Sequence, residues 1–224
     1  MRVLMIAPPG AGKGTQGALI AEHFGIPHIA TGDLLRDHVA RLTELGRVAK
    51  EYLDRGALVP DEAVLDMVRQ AVVEAKADGG GYVLDGIPRT MEQARATYLI
   101  GQELGMAADV ALHLQADDQE LVRRLLARAE VEHRSDDTEP VIRRRLELYH
   151  ELTHPIVSWY RKRGILVSVD AMRPANDVGR EILAALEVMS SLVDHVPEDA
   201  RRPIDLTGLG TAFDDETPGA TTLT

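Results

Sequence analysis

The apolar run Val3-Leu4-Met5-Ile6 leads into Ala7-Pro8-Pro9-Gly10-Ala11-Gly12-Lys13-Gly14-Thr15, and Gln16-Gly17-Ala18-Leu19-Ile20 continues as a helix-compatible stretch. Few folds accept this order of strand, glycine-rich turn and helix. It is the layout of a loop that cradles phosphate. Glycines let backbone N–H groups converge on anionic oxygens without a Cβ in the way. Lys13 adds a mobile positive charge, and the helix starting there turns its positive end toward the same point. The segment predicts a bound polyphosphate, carried by a nucleotide. It departs from the general pattern at both ends: Ala7 stands at the first glycine position, and Gly14 stands where a hydroxyl residue belongs, with Thr15 one place later.

A chain of 224 residues buries a substantial core in one unit. The N-terminal apolar run is too short for a signal-peptide core and is cut off by Pro8-Pro9, and no later stretch reaches bilayer-spanning length, so a soluble cytoplasmic protein is expected. With no cysteine, disulfides and thiolate metal sites are excluded. The net charge of -11 argues against a nucleic-acid surface. From Ser190 onward seven acids face two arginines, which accounts for five of those excess negative charges. An acidic protein that holds phosphate must gather its arginines at the site.

Short strand-like runs alternate with helical ones. Strands are expected at Val3–Ile6, around Ile26–Ile29, at Tyr82–Leu84, at Val110–Leu114 and at Ile165–Val169. Helices are expected at Lys13–Phe24, from Thr31 or Asp33 as cap, at Gly46–Arg55, and from Pro60 with Val64, Leu65, Val68, Ala71 and Val72 inside. Others follow Thr90, whose pairing with Gln93 reads as a capping box, and Asp117, and the last spans Asn176–Met189. This alternation predicts an α/β fold, a parallel sheet with helices on both faces, with ligands beyond the carboxyl ends of the strands. From Ser190 periodicity gives way to Pro, Gly, Asp and Thr, and residues 190–224 read as a flexible acidic tail. No exposed heptad or broad apolar stripe is evident, which predicts a monomer.

Several side chains are candidates for the same sheet edge. Asp85 ends a strand; it fits either a Mg²⁺ site, through ordered water or directly, or a turn aspartate. Arg89 follows on the rigid turn Gly86-Ile87-Pro88 and can clasp a phosphate. Thr31 can meet a base or cap a helix, and Arg36 stands one turn beyond Asp33. Arg123, Arg124, Arg128, Arg134 and Arg143-Arg144-Arg145 bracket a polar loop, as a basic flap over a phosphate chain would. Successive helical residues diverge by about 100°, so only one of the last three points inward. Arg145, beside the buried-stripe residue Leu146, is the candidate.

In this order, Pro9-Gly10-Ala11-Gly12-Lys13-Gly14-Thr15-Gln16, Thr31-Gly32-Asp33, Asp85-Gly86-Ile87-Pro88-Arg89-Thr90, Arg134-Ser135-Asp136-Asp137 and Val169-Asp170 resemble the adenylate kinases in their short-lid form, over residues 1–188. The resemblance implies a P-loop NTPase-type core, a mobile AMP-binding flap at about residues 30–59, a short lid at about 127–137, and a kinase-like domain over 1–189. It implies Mg²⁺-dependent conversion of ATP and AMP to two ADP. Gly10, Ala11, Gly12, Lys13, Gly14, Thr15, Arg128 and the Arg173 backbone would hold ATP. Thr31, Arg36, Ala57, Leu58, Val59, Gly86, Ile87, Pro88, Arg89, Gln93, Arg134 and Arg145 would hold AMP. Lys13, Arg89, Arg128, Arg134 and Arg145 would serve the transfer itself, and Asp85 the Mg²⁺ through water.

Thr31 offers a hydroxyl, and Gln93 a donor–acceptor pair matching the adenine edge, which favours AMP over other nucleoside monophosphates. A kinase for another monophosphate and a non-catalytic nucleotide-binding relative are the alternatives. Ala7 departs from the family pattern, and a methyl at a positive-φ position costs about 1 kcal/mol or more. Ile87 replaces an aromatic, Ala171 a glycine and Arg173 a lysine. The lid has no cysteine or histidine at zinc spacing, so zinc is not expected. A phosphate dianion needs no general base, and none of His23, His28, His38, His113, His133, His150, His154 or His195 is assigned a role.

Overall fold

The computed structural model describes residues 1–132 and 137–194. Five strands, β1 (Arg2–Ile6), β2 (His28–Ala30), β3 (Tyr82–Asp85), β4 (Val110–Gln115) and β5 (Leu166–Asp170), form one parallel sheet in the order β2-β3-β1-β4-β5. The helices are α1 (Lys13–Phe24), α2 (Thr31–Ala40), α3 (Glu44–Asp54), α4 (Asp61–Ala77), α5 (Met91–Leu104), α6 (Asp118–Glu132), α7 (Glu139–Leu148), α8 (His154–Lys162) and α9 (Ala175–Asp194), with a π-helical turn, Tyr149–Thr153, joining α7 to α8.

The period-2 alternation of strand side chains divides the core in two. Leu4, Ile6, Tyr82 and Leu84 face α4, α5 and α8 through Val68, Val72, Ala94, Ile156 and Tyr160. Val3, Met5, Val83, Leu112 and Leu114 face α1, α6, α7 and α9 through Ile20, Leu121, Leu125, Ile142 and Ile182. Burial on both faces is why the strands read as near-continuous apolar runs. At about 1.5–3 kcal/mol per fully buried aliphatic side chain, these two layers hold the loops at the strand ends in place.

The expected elements are present, with differences at their ends. Asp117 caps α6, its Oδ1 accepting from the Gln119 N–H at 2.8 Å. Thr43 caps α3 by accepting from the Gly46 N–H at 3.0 Å, so that helix starts earlier than expected. Neither Thr31 nor Asp33 caps α2. Ala30 occupies that position without a side-chain bond, and the Thr31 hydroxyl instead donates to the Asp85 carbonyl at 3.1 Å. Helix α9 runs five residues past Met189 to Asp194, so part of the expected tail is helical. Residues 195–224 lie outside the described residues, as does the segment 133–136 within the expected lid.

Candidate active site

Strand β1 lies between β3 and β4, the point where connections run to opposite sides of the sheet. The loop leaving it reaches α1 through Gly12, which holds φ 88° as the helix N-cap. A left-handed residue is needed there to turn the chain, and glycine takes it without penalty. A Cβ on Gly12 or Gly14 would meet no atom within 4 Å, so the loop backbone borders open space. Ala7 causes no strain: among the described residues Leu42 is the one non-glycine with positive φ. The Ala7 methyl is buried in the sheet core, and its carbonyl accepts from Lys13 Nζ at 3.1 Å.

Burial, reinforced by the positive charges of Arg89, Arg145 and Arg128 and opposed by Asp85, lowers the Lys13 pKa to about 8. In the unliganded protein Lys13 therefore loses its proton as pH rises through about 8, well below the ordinary lysine value of 10.5. Two consequences follow. The KM for the phosphate donor rises above about pH 8, because binding must then restore the proton; initial-rate kinetics at several pH values check this. Since the unfolded chain binds the extra proton between about 8 and 10.5, this group makes stability increase with pH across that window.

Register sets Asp85 beside Lys13: Asp85 lies opposite Met5 on β1 and Ala30 on β2. Burial pushes its carboxyl pKa up, but His28, Lys13 and Arg89 outweigh that and hold it below the usual range. His28 Nε2 stands 3.8 Å from Oδ2, beyond direct hydrogen-bond reach. Gly86 follows at φ +91°, where a Cβ would overlap the Thr31 hydroxyl, so only glycine fits. After the cis Ile87–Pro88 bond, Arg89 is pinned three ways. Its Nε donates to the Gly86 carbonyl at 2.6 Å, its N–H to Gln93 Oε1 at 2.7 Å, and its carbonyl accepts from the Thr153 hydroxyl at 2.8 Å. The Ile87 side chain is fully buried in the core, so only its backbone can face a ligand.

Thr90 completes half of the expected capping box, accepting from the Gln93 N–H at 3.1 Å. The Gln93 side chain serves elsewhere: besides accepting from Arg89, it donates through Nε2 to Asp61 Oδ1 at 2.6 Å. An ionised carboxylate only accepts and a backbone N–H only donates, so the amide has one orientation. Of its two donors and two lone pairs, one of each is left over.

Arg128 grips Asp137 in a bidentate pair at 2.7 and 2.8 Å, and Arg145 Nη1 joins the same carboxylate at 3.0 Å. The Asp137 side chain is completely buried, and it lets two guanidiniums approach that would otherwise repel. Arg145 is the inward member of its triplet, whereas Arg143 pairs with Glu139 and Arg144 with Glu147. Arg123 pairs with Glu120, and Arg124 adds a bond to the Ala171 carbonyl at 3.0 Å. Arg36 pairs with Asp33. Arg173 lies on the turn after β5 with its side chain on Glu181. Arg134 falls outside the described residues.

Three hollows meet at Gly86, Arg89 and Arg145. The largest, about 450 Å³, is bordered by the glycine loop and by Lys13, Arg36, Arg89, Arg124, Arg128 and Arg145, against two carboxylates, Asp33 and Asp85. A smaller one, about 60 Å³, is bordered by Thr31, Arg36, Ala57, Leu58, Val59 and Gln93. The third, about 70 Å³, includes Lys13, Pro88 and Tyr149. The site residues inferred from the sequence thus share one cleft, except Ala11, which is buried in the core, Arg173, Ile87 and the undescribed Arg134. Sequence reasoning missed Asp61 and the π-helical turn that supplies Tyr149 and Thr153, and named Arg124 only among the arginines of the basic flap, without a part of its own. Asp137 stood in a motif without an assigned part.

Sheet order, loop and cationic cleft define a phosphate-loop nucleotide-binding protein. The family model described as adenylate kinase matches residues 5–165. An adenylate kinase of Kocuria rhizophila is 49% identical over 186 residues, covering 83% of this chain and 98% of that protein. One of Thermobifida fusca is 46% identical over 187 residues, covering 84% and 98%, and one of Thermus thermophilus is 43% identical over 186, covering 83% and 97%. This chain belongs to the adenylate kinase family.

Proposed function

We propose that the chain moves the terminal phosphoryl group of ATP to AMP, reversibly, yielding two ADP. The observation that carries this reading is the meeting of the loop-side hollow and the Thr31–Gln93 hollow at Arg89 and Arg145. Two nucleotides seated there would join phosphate to phosphate, across the cationic wall. Loop amides from Gly10 to Thr15, with Lys13 and Arg128, would hold the donor's phosphates, and the backbone near Arg173 its adenine. Arg36 and Arg89 would hold the AMP phosphate, Ala57–Val59 and Pro88 its nucleoside, and Arg134 and Arg145 would bridge the transferred group.

The attacking AMP oxygen is already anionic, so catalysis consists of alignment and charge neutralisation. Arg128 and Arg145 arrive paired on Asp137, aimed before any ligand is present. A flap at about residues 30–59 and a lid at about 127–137 would exclude water, which would otherwise take the phosphoryl group. Residues 1–189 would make up the kinase unit, and 190–224 would add an acidic extension that starts with the last turn of α9.

Asp85 suits Mg²⁺: it is ionised, lies beside the phosphate loop, and is a single carboxylate of the kind that holds this ion through water while phosphates supply the rest. Among the described residues no group of three or more candidate ligands forms a dedicated metal cage. When bound, Mg²⁺ would neutralise charge on the phosphates. Among the described residues no helix is long and apolar enough to cross a membrane, and we place the protein in the cytoplasm as a monomer.

Gln93's spare donor and lone pair match the ring nitrogen and amino group of adenine. Asp61→Ala frees the amide to rotate, and loses a hydrogen bond to a charged group worth about 1.5–3 kcal/mol. It is expected to raise the AMP KM by about tenfold or more, leave the ATP KM unchanged, and narrow the preference over CMP, as steady-state kinetics will measure. Turnover with AMP, CMP, UMP and GMP and ATP-Mg²⁺ tests the reading itself. AMP should far exceed the others; equal turnover of a pyrimidine monophosphate would overturn the substrate assignment.

A further inference from the structure

At the opposite end of the sheet from the cleft, a cavity of about 300 Å³ opens beneath the amino ends of β1, β3 and β4, between α4, α5 and α8. Its walls are mostly apolar, with Val68, Val72, Leu84, Tyr98, Met106 and Ile165 among them, and its volume is at the lower end of ligand-pocket sizes. Two polar groups lining it lack the partners that buried polar atoms normally have. Tyr160 is 2% exposed, and its hydroxyl makes no hydrogen bond. The neighbouring Thr97 hydroxyl donates to the Gln93 carbonyl and turns its remaining lone pairs toward the phenol without closing a hydrogen bond of ordinary geometry. Burial raises the Tyr160 pKa, so the phenol stays a neutral donor. Arg163 has Nε and Nη2 buried without a hydrogen-bond partner. Its Cζ lies 3.2 Å from the Trp159 ring centroid, and only Nη1 reaches an acceptor, the Trp159 carbonyl at 3.3 Å.

The other charged groups on the wall, Arg2 and Asp109, pair with each other at 2.6 Å, which leaves Arg163 as the surplus charge. An apolar chamber with one uncompensated cation and one neutral donor side by side calls for an apolar body with a single anionic head. We propose that this cavity is a second binding site, separate from the nucleotide cleft, for a small amphipathic monocarboxylate. Its carboxylate would lie on Tyr160 and Arg163, and its hydrocarbon body along Val72, Leu84 and Met106.

Trp159 is the chain's single tryptophan, so its emission reports directly on Arg163. The probe is decanoate, added to the full chain below its aggregation concentration, with decanol as the uncharged control. The expected result is a saturable change in Trp159 emission that persists under saturating ATP and is at least tenfold weaker with decanol. Arg163→Met and Tyr160→Phe should each weaken decanoate binding by about tenfold while keeping circular dichroism and kinase activity. Because Tyr160→Phe changes one atom, it serves as the test even if Arg163→Met folds poorly. The proposal is overturned by no saturable change, by equal responses to decanoate and decanol, by loss of the response under ATP, or by full binding in a folded Tyr160→Phe.

Discussion

Replacing Lys13 with methionine lowers kcat by on the order of 10²–10³-fold, the usual loss when one preorganised donor to a developing charge is removed. The fold should survive intact. Lys13 is half-buried, and its depressed pKa marks a charge that the protein disfavours without a ligand; its hydrogen bonds reach only the Ala7 and Pro8 carbonyls at 3.1 and 3.5 Å. Methionine matches its length and is apolar, so the thermal midpoint should be unchanged or higher. A lysine that mattered for architecture would give the reverse pattern, with lost stability and proportionate activity. A coupled ADP assay beside a thermal melt separates the two, and near-normal kcat in Lys13→Met would refute the role given to this residue.

Arg89→Ala should raise the AMP KM by on the order of 10–100-fold, as expected for loss of a charge-assisted contact, with a much smaller change in the ATP KM. The asymmetry follows from position. Arg89 is delivered by the turn after β3, anchored to Gly86, Gln93 and the π-helical turn, on the wall shared with the Thr31–Gln93 hollow. The donor side retains the loop amides, Lys13 and Arg128. Equal increases for both nucleotides would mean that Arg89 does not distinguish the two seats.

What could be read from the chain alone depended on how local each interaction was. The loop, the two-sided sheet and the inward aim of Arg145 were legible because glycine spacing, apolar runs and helical angle are all short-range. Thr31 was not: its hydroxyl looks like a cap, but its partner is the Asp85 carbonyl, brought close only by the β2–β3 register. Gln93 fits a capping box in sequence, yet Asp61, on a different helix, decides which way its amide faces. Nothing in the sequence around Asp137 marks it out, and only packing against Arg128 and Arg145 gives it a buried post. The concern over Ala7 came from pattern matching, and the backbone there never enters the left-handed region. The π-helical turn carries no recognisable signature, so Thr153 could not be linked to Arg89 in advance.

Titration calorimetry with a bisubstrate mimic, two adenosines joined through a polyphosphate chain, addresses the cleft as a whole. One cleft with two seats predicts one mimic per chain, affinity orders of magnitude above that of ATP or AMP alone, and a large loss of that gain in both Lys13→Met and Arg89→Ala. A mimic that binds no more tightly than ATP, or that is indifferent to Arg89, would mean the two nucleotides do not meet across this wall.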